Sequence, residues 1–173
     1  MEKEKTIMEE LEEDIYDAAD RPFDFVGADE QTAIICEANE GVRGKICNIL
    51  KGMDFQITEV SSALEALRNM RYHEYDLVVV NEKFDVDKQD DNINNVLNYL
   101  ENLPMTERRN IFVVLLSETL RTMDNMAAFH QSVHLVINTQ NLDDFENILN
   151  RGIAINEVFY SMFKEGLRKL GRY

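Results

Sequence analysis

Two runs in this chain, Leu77-Val-Val-Val80 and Ile111-Phe-Val-Val-Leu-Leu116, are apolar at every position. A strand with one face in water alternates apolar and polar residues, so an unbroken run predicts a strand covered on both faces, as inside a parallel sheet flanked by helices. Open sheets of this kind place ligands and chemistry outside the carboxyl ends of their strands. The polar residues that follow the runs, Asn81 and Ser117, are therefore the first candidates for a site.

The remaining segments supply the frame. Thr32–Cys36 and Leu135-Val-Ile137 are two more continuous apolar runs, and Phe55–Val60 alternates imperfectly, as an edge strand with one wet face does. Between them lie stripes at helical spacing. The first is Val42, Ile46, Ile49, Leu50 and Met53; the second, Leu64, Leu67 and Met70, follows a Ser62-Ala-Leu-Glu65 capping box. Ile93, Val96, Leu97, Leu100 and Leu103 form a third that Pro104 ends, and a weaker one runs through Met123, Met126, Ala127 and Phe129. A long last helix spans Leu142 to Tyr173, weakened only by Gly152 and Gly166. Five strands alternating with five helices predict an α/β, doubly wound five-stranded parallel sheet in the order 2-1-3-4-5, because parallel neighbours need helical crossovers.

The domain spans residues 31–154, preceded by an acidic helix and linker (1–30) and followed by an extension of the last helix (155–173). Of the formal charge of −15, the first 30 residues carry −9 (twelve acids, three bases), leaving −6 for the rest. Ile7, Met8, Leu11 and Ile15 stand at helical spacing among those acids, and Arg21-Pro22 ends the pattern. An acidic chain repels nucleic acid and anionic membrane, and no basic stretch exceeds Arg108-Arg109, so neither is an expected partner. With no secretory leader and no apolar run long enough to span a bilayer, a cytoplasmic location is expected. Cys36 and Cys47 lack metal or redox spacing and read as two buried thiols.

The segments IICEANEGVR, SSALEAL, YDLVVVN and VVLLSE, in that order and at that spacing, resemble the receiver domains of bacterial response regulators, the CheY-like family. The resemblance covers Thr32 to about Ala154 and implies the same sheet and a place in two-component signal transduction. In the family, two acids after the first strand hold a magnesium ion that offsets phosphoryl charge. Here Glu37 keeps one carboxylate and Ala38 removes the other. The phosphoacceptor aspartate aligns with Asn81, whose neutral amide is far less nucleophilic than a carboxylate.

Ser117 retains the family's hydroxyl residue, whereas its lysine aligns with Asn138, the proline after that with Thr139 and its aromatic switch with Leu135. The resemblance, with these losses, implies a degenerate pseudo-receiver: a protein-binding or signalling module rather than an enzyme, with no cofactor and no resident metal. Two alternatives stand beside it. One is an atypical phosphoacceptor using Glu82, Asp85 or Asp87, with Glu37 and Glu40 toward a metal; the other is a small-ligand sensor in which Asn81, Ser117 and Asn138 offer neutral hydrogen bonds.

His130 and His134, four residues apart, would share one side of a helix as zinc ligands do, but a third ligand is not evident. Met123 and Met126 read as helix packing, and no Gly-rich phosphate loop or Gly-x-Ser-x-Gly elbow occurs. Beyond Ile155, the residues Val158, Phe159, Met162, Phe163, Leu167 and Leu170 offer more apolar surface than a lone helix carries in water. They either pack on the helix of residues 7–19 or pair with the same helix of a second chain in a symmetric homodimer.

Overall fold

In the computed structural model, which describes residues 30–86 and 94–171, five parallel strands lie in the order β2-β1-β3-β4-β5, as the sequence predicts. The strands are β1 (Thr32–Cys36), β2 (Gln56–Glu59), β3 (Leu77–Asn81), β4 (Phe112–Ser117) and β5 (Leu135–Asn138). The helices are α1 (Glu40–Gly52), α2 (Ala63–Tyr72), α3 (Asn95–Asn102), the single turn α4 (Met105–Arg108), α5 (Asn125–His130) and α6 (Phe145–Lys169). Residues 7–19, where the sequence predicts an acidic helix, lie outside the described residues.

The unbroken apolar runs have a direct cause. Ala33, Ile35, Leu77, Val79, Val114 and Leu116 face one core with residues of α1 and α6. Their neighbours Ile34, Cys36, Val78, Val80, Val113 and Leu115 face the other, under α2, α3 and α5. Each large aliphatic side chain buried this way contributes about 1.5–3 kcal/mol, so one strand serves two cores. Edge strand β2 is only half-covered, in keeping with its imperfect alternation.

The helix ends follow local chemistry, with some departures from expectation. Ser62 caps α2 by accepting from the Glu65 N–H at 3.2 Å, but the Glu65 carboxylate reaches back to the Ser61 N–H and hydroxyl, both at 2.8 Å. The last helix does not begin at Leu142. That residue sits in a 3-10 stretch (Thr139–Asp144), and α6 proper starts at Phe145. Met123 is not helical: its φ of 60° turns the chain ahead of α5, while Met126 and Phe129 on α5 are exposed rather than core.

Gly152 is more than a weak point in α6. A Cβ there would stand 2.9 Å from Leu135 Cδ2 and 3.3 Å from Phe112 Cζ, so the glycine lets the helix approach β4 and β5 closely. Both cysteines are buried and unpaired, and burial raises both thiol pKa values, as inert core thiols require.

Candidate functional site

Strand register assembles the candidate residues. Cys36 lies opposite Val80, Asn81 opposite Leu116 and Ser117 opposite Asn138. Glu37, Asn81, Ser117 and Asn138 therefore stand at the carboxyl edge of four adjacent strands, β1, β3, β4 and β5. Ala38 is exposed beside Glu37.

The edge is filled by contacts among its own groups. Asn81 Nδ2 donates to Glu37 Oε2 at 2.6 Å, and the other carboxylate oxygen accepts the Asn39 N–H at 2.8 Å. Glu37 is only 3% exposed, so these two bonds are what satisfy its oxygens. The amide oxygen of Asn81 accepts the Lys83 N–H at 2.8 Å. Arg43 approaches from α1, donating to the Glu37 carbonyl at 3.0 Å and pairing with Glu59 at 3.1 Å.

Ser117 is fully buried, and its oxygen accepts the N–H groups of Thr119 at 3.1 Å and Leu120 at 2.9 Å. Asn138 donates to the carbonyls of Glu118 at 3.2 Å and Leu120 at 2.8 Å, while its oxygen accepts the Gln140 N–H at 2.9 Å. Both side chains thus pin the β4–α5 loop. A serine that accepts two loop amides is a turn-forming group.

Lys83, from the β3–α3 loop, brings a further cation to this edge and is engaged by Glu118. That hydrogen bond and charge raise the Lys83 pKa, although the ammonium is fully exposed. Glu82 accepts the Glu118 N–H at 3.0 Å. Asp85, one of the alternative acceptors, accepts the Ala63 N–H at 2.6 Å and so holds the first turn of α2. Asp87 lies outside the described residues.

Asn94 is a site residue that pattern reading missed. Its amide donates to the carbonyls of Asn81 at 3.0 Å and Glu82 at 3.4 Å, and its oxygen accepts from Val96 and Leu97, both at 3.1 Å, capping α3. The available signal was an Asn just before a helical stripe, the preferred N-cap type.

The two histidines do not share a helix. His130 closes α5, while His134 lies beyond it beside β5. Among the described residues no cluster of three or more His, Cys, Asp or Glu is placed to hold a metal ion. His134 Nδ1 accepts the Val113 N–H at 3.1 Å, so Nε2 carries the proton of the neutral ring, which stacks on Phe112 at 5.0 Å.

Burial, and then Arg108, lower the His134 pKa to about 4. A histidine depressed in the folded state stabilises it above the unfolded pKa of about 6.5, and that contribution is lost as pH falls from there toward 4. Urea denaturation across that window is expected to show a loss on the order of 1–3 kcal/mol from this group. His134→Gln, which keeps an acceptor without titrating, should flatten that part of the profile.

A cavity of about 450 Å³ opens at the opposite end of the sheet, among Tyr72, Tyr75, Tyr99, Leu103, Glu107 and Ile111. It is separate from the candidate edge. No helix of the described residues is long and apolar enough to cross a membrane.

No protein-family model matches the chain, and no curated protein matches it in sequence. Solved structures do match. A response regulator from Thermotoga maritima is 17% identical with a TM-score of 0.53, covering 72% of this chain and 98% of that one. The signal receiver domain of an HD domain-containing protein from Pseudomonas fluorescens Pf-5 is 10% identical with a TM-score of 0.54, covering 75% and 98%. The RcsB response regulator of Salmonella typhimurium, described in connection with DNA interaction, is 15% identical with a TM-score of 0.52, covering 70% of this chain and 58% of that one. The fold shared with these structures is thus the CheY-like one, a parallel sheet in the order 2-1-3-4-5.

Proposed function

We propose that this chain is a receiver-like signalling module that is not phosphorylated and acts by binding a protein partner. The observation that carries this reading is the 2.6 Å bond from Asn81 to Glu37. The position where a receiver would present its nucleophile carries an amide, and that amide is committed to the one carboxylate left from the metal pair. Such a group has neither the charge to attack phosphorus nor a free carboxylate partner to help hold a divalent cation. The bonds of Ser117 and Asn138 to loop amides and carbonyls support the same reading, since they already occupy the groups a small ligand would use.

Binding is supported by exposed apolar side chains on the two elements that flank β5 in sequence. Met126 and Phe129 on α5, and Val158, Phe159 and Met162 on α6, are each at least 74% exposed. Amide NMR spectra are expected to stay unchanged when acetyl phosphate, or beryllofluoride with magnesium, is added. Clear shifts centred on Asn81, Glu82 and Ser117 would overturn the reading. Base-labile phosphate recovered on Glu82 or Asp85 would replace it with an atypical phosphoacceptor.

A further inference from the structure

Helix α6 runs 25 residues, about 37 Å at 1.5 Å per residue, and changes role midway. Phe145, Leu149 and Gly152 of its first half are buried against the sheet. Farther on, Ile155, Val158, Phe159, Met162 and Leu170 are 57–79% exposed, whereas Leu167 is half-buried and drops out of the expected stripe.

Ile155, Phe159, Met162 and Gly166 follow one another at intervals of four, three and four residues. That is the spacing of a heptad seam, which meets another helix along its length. Gly166 has open space around its Cβ position, so it leaves room for a side chain from a facing helix. The seam is also held in place: the Arg109 guanidinium lies 4.8 Å from the Phe163 ring centroid, tying the far half of α6 to the turn before β4. A helix already held on its own domain loses little conformational freedom when a partner arrives.

We infer that the seam of α6 pairs with the same seam of a second copy of this chain, forming a two-fold symmetric dimer. The inference deepens the protein-binding reading above by naming the partner, and it rests on that reading.

Two further observations favour this occupant. Ile155, Val158, Phe159, Met162, Phe163 and Leu170, each 43–79% exposed, together leave several hundred Å² of apolar surface per protomer, approaching the ~800 Å² per partner of a stable standard interface. Charge also singles out this part of the chain. Residues 151–170 hold four bases and two acids, a net +2, in a chain of −15. The acidic bulk of each copy repels the other, whereas this helix adds no net negative charge to the interface.

The test is the molar mass of the full chain by light scattering or sedimentation from about 1 to 100 μM, spanning the affinities of ordinary interfaces. The expected result is twice the chain mass, and at least a tenfold weaker dimer for Phe159→Glu combined with Met162→Glu, with unchanged far-ultraviolet circular dichroism. Should the double variant misfold, the single variant Val158→Glu serves, with the same weakening expected.

A wild type that stays monomeric throughout overturns the inference, as does a dimer that a folded variant leaves intact. A monomer that dimerises only after Leu11→Glu assigns the seam to residues 7–19 and also overturns it. Measuring with and without acetyl phosphate and magnesium separates the two proposals. A dimer in both supports the interface, whereas one that needs the phosphodonor overturns the non-phosphorylated reading and leaves the interface standing.

Discussion

Asn81→Asp is expected to destabilise the protein at neutral pH by about 1–3 kcal/mol without making it a phosphoacceptor. The substitution replaces a 2.6 Å hydrogen bond to Glu37 with two carboxylates at the same distance, beside a residue that is almost wholly buried. Two such groups cannot both ionise cheaply, so the pair retains a proton and its folded pKa lies above the ordinary carboxylate value.

A pKa raised by folding stabilises below the unfolded value and loses that contribution as pH rises through the folded one. The variant should therefore lie closest to wild type near pH 4 and fall behind as pH increases, read as urea midpoints across pH. Millimolar magnesium or calcium, which two carboxylates attract, should restore part of the loss at pH 7. No acyl phosphate is expected, because Ala38 still lacks the second acid after β1 and Asn138 still lacks the ammonium. Acyl phosphate formation by this single variant would mean that the edge is far more competent than its hydrogen bonds indicate.

Phe84→Ala is expected to have the largest effect on stability, a loss of about 3–5 kcal/mol. Phe84 is 1% exposed and packs in the core under α2, α3 and α5, three residues beyond Asn81. Its N–H also donates to the Asn81 carbonyl at 3.0 Å, closing the turn that leads into the site loop. Removing the ring leaves a cavity that the surrounding strands refill only partly. The anchor that lets Asp85 reach the Ala63 N–H and Asn94 reach the Asn81 carbonyl is loosened with it.

Urea denaturation should show a lower midpoint at unchanged slope, and amides in the loop after β3 should exchange faster. A change under 1 kcal/mol would mean that the loop is held by its hydrogen bonds alone, contrary to the burial of the ring.

Legibility differed between the frame and the site. The strands of the core were plain because a segment covered on both faces has no polar position to spare, which makes Val78 and Val79 alike apolar although they face different cores. Parallel pairing followed from the helical crossovers it requires, and the order 2-1-3-4-5 from the usual arrangement of a doubly wound sheet of this size. The chemistry at each strand end was legible as residue type: an amide at 81, an alanine at 38, an asparagine at 138.

What those residues touch was not legible. The Asn81–Glu37 bond joins positions 44 apart, and nothing in either neighbourhood indicates whether an amide at a strand end faces water, ligand or a carboxylate. Asn94 was missed as part of the edge, and Asp85, read as an alternative acceptor, was not seen to hold the first turn of α2, for the same reason. A side chain that caps a helix in one place and braces a distant loop in another has only its local role written in local pattern.

The long helix divides along the same line. Periodicity marked an apolar stripe from Leu142 onward, yet it could not separate the half that packs on β4 and β5 from the half left open. Nor could it see that Gly152 is needed for close approach while Gly166 meets open space. By itself, the sequence determined most of the secondary elements, the doubly wound sheet and the residue types at the strand ends, an alanine at 38, an amide at 81 and an asparagine at 138. These depend on side-chain type and on short-range periodicity. Only the tertiary structure decided that the remaining groups satisfy one another and that the far half of α6 faces outward, because contact and exposure depend on which distant segments meet in space.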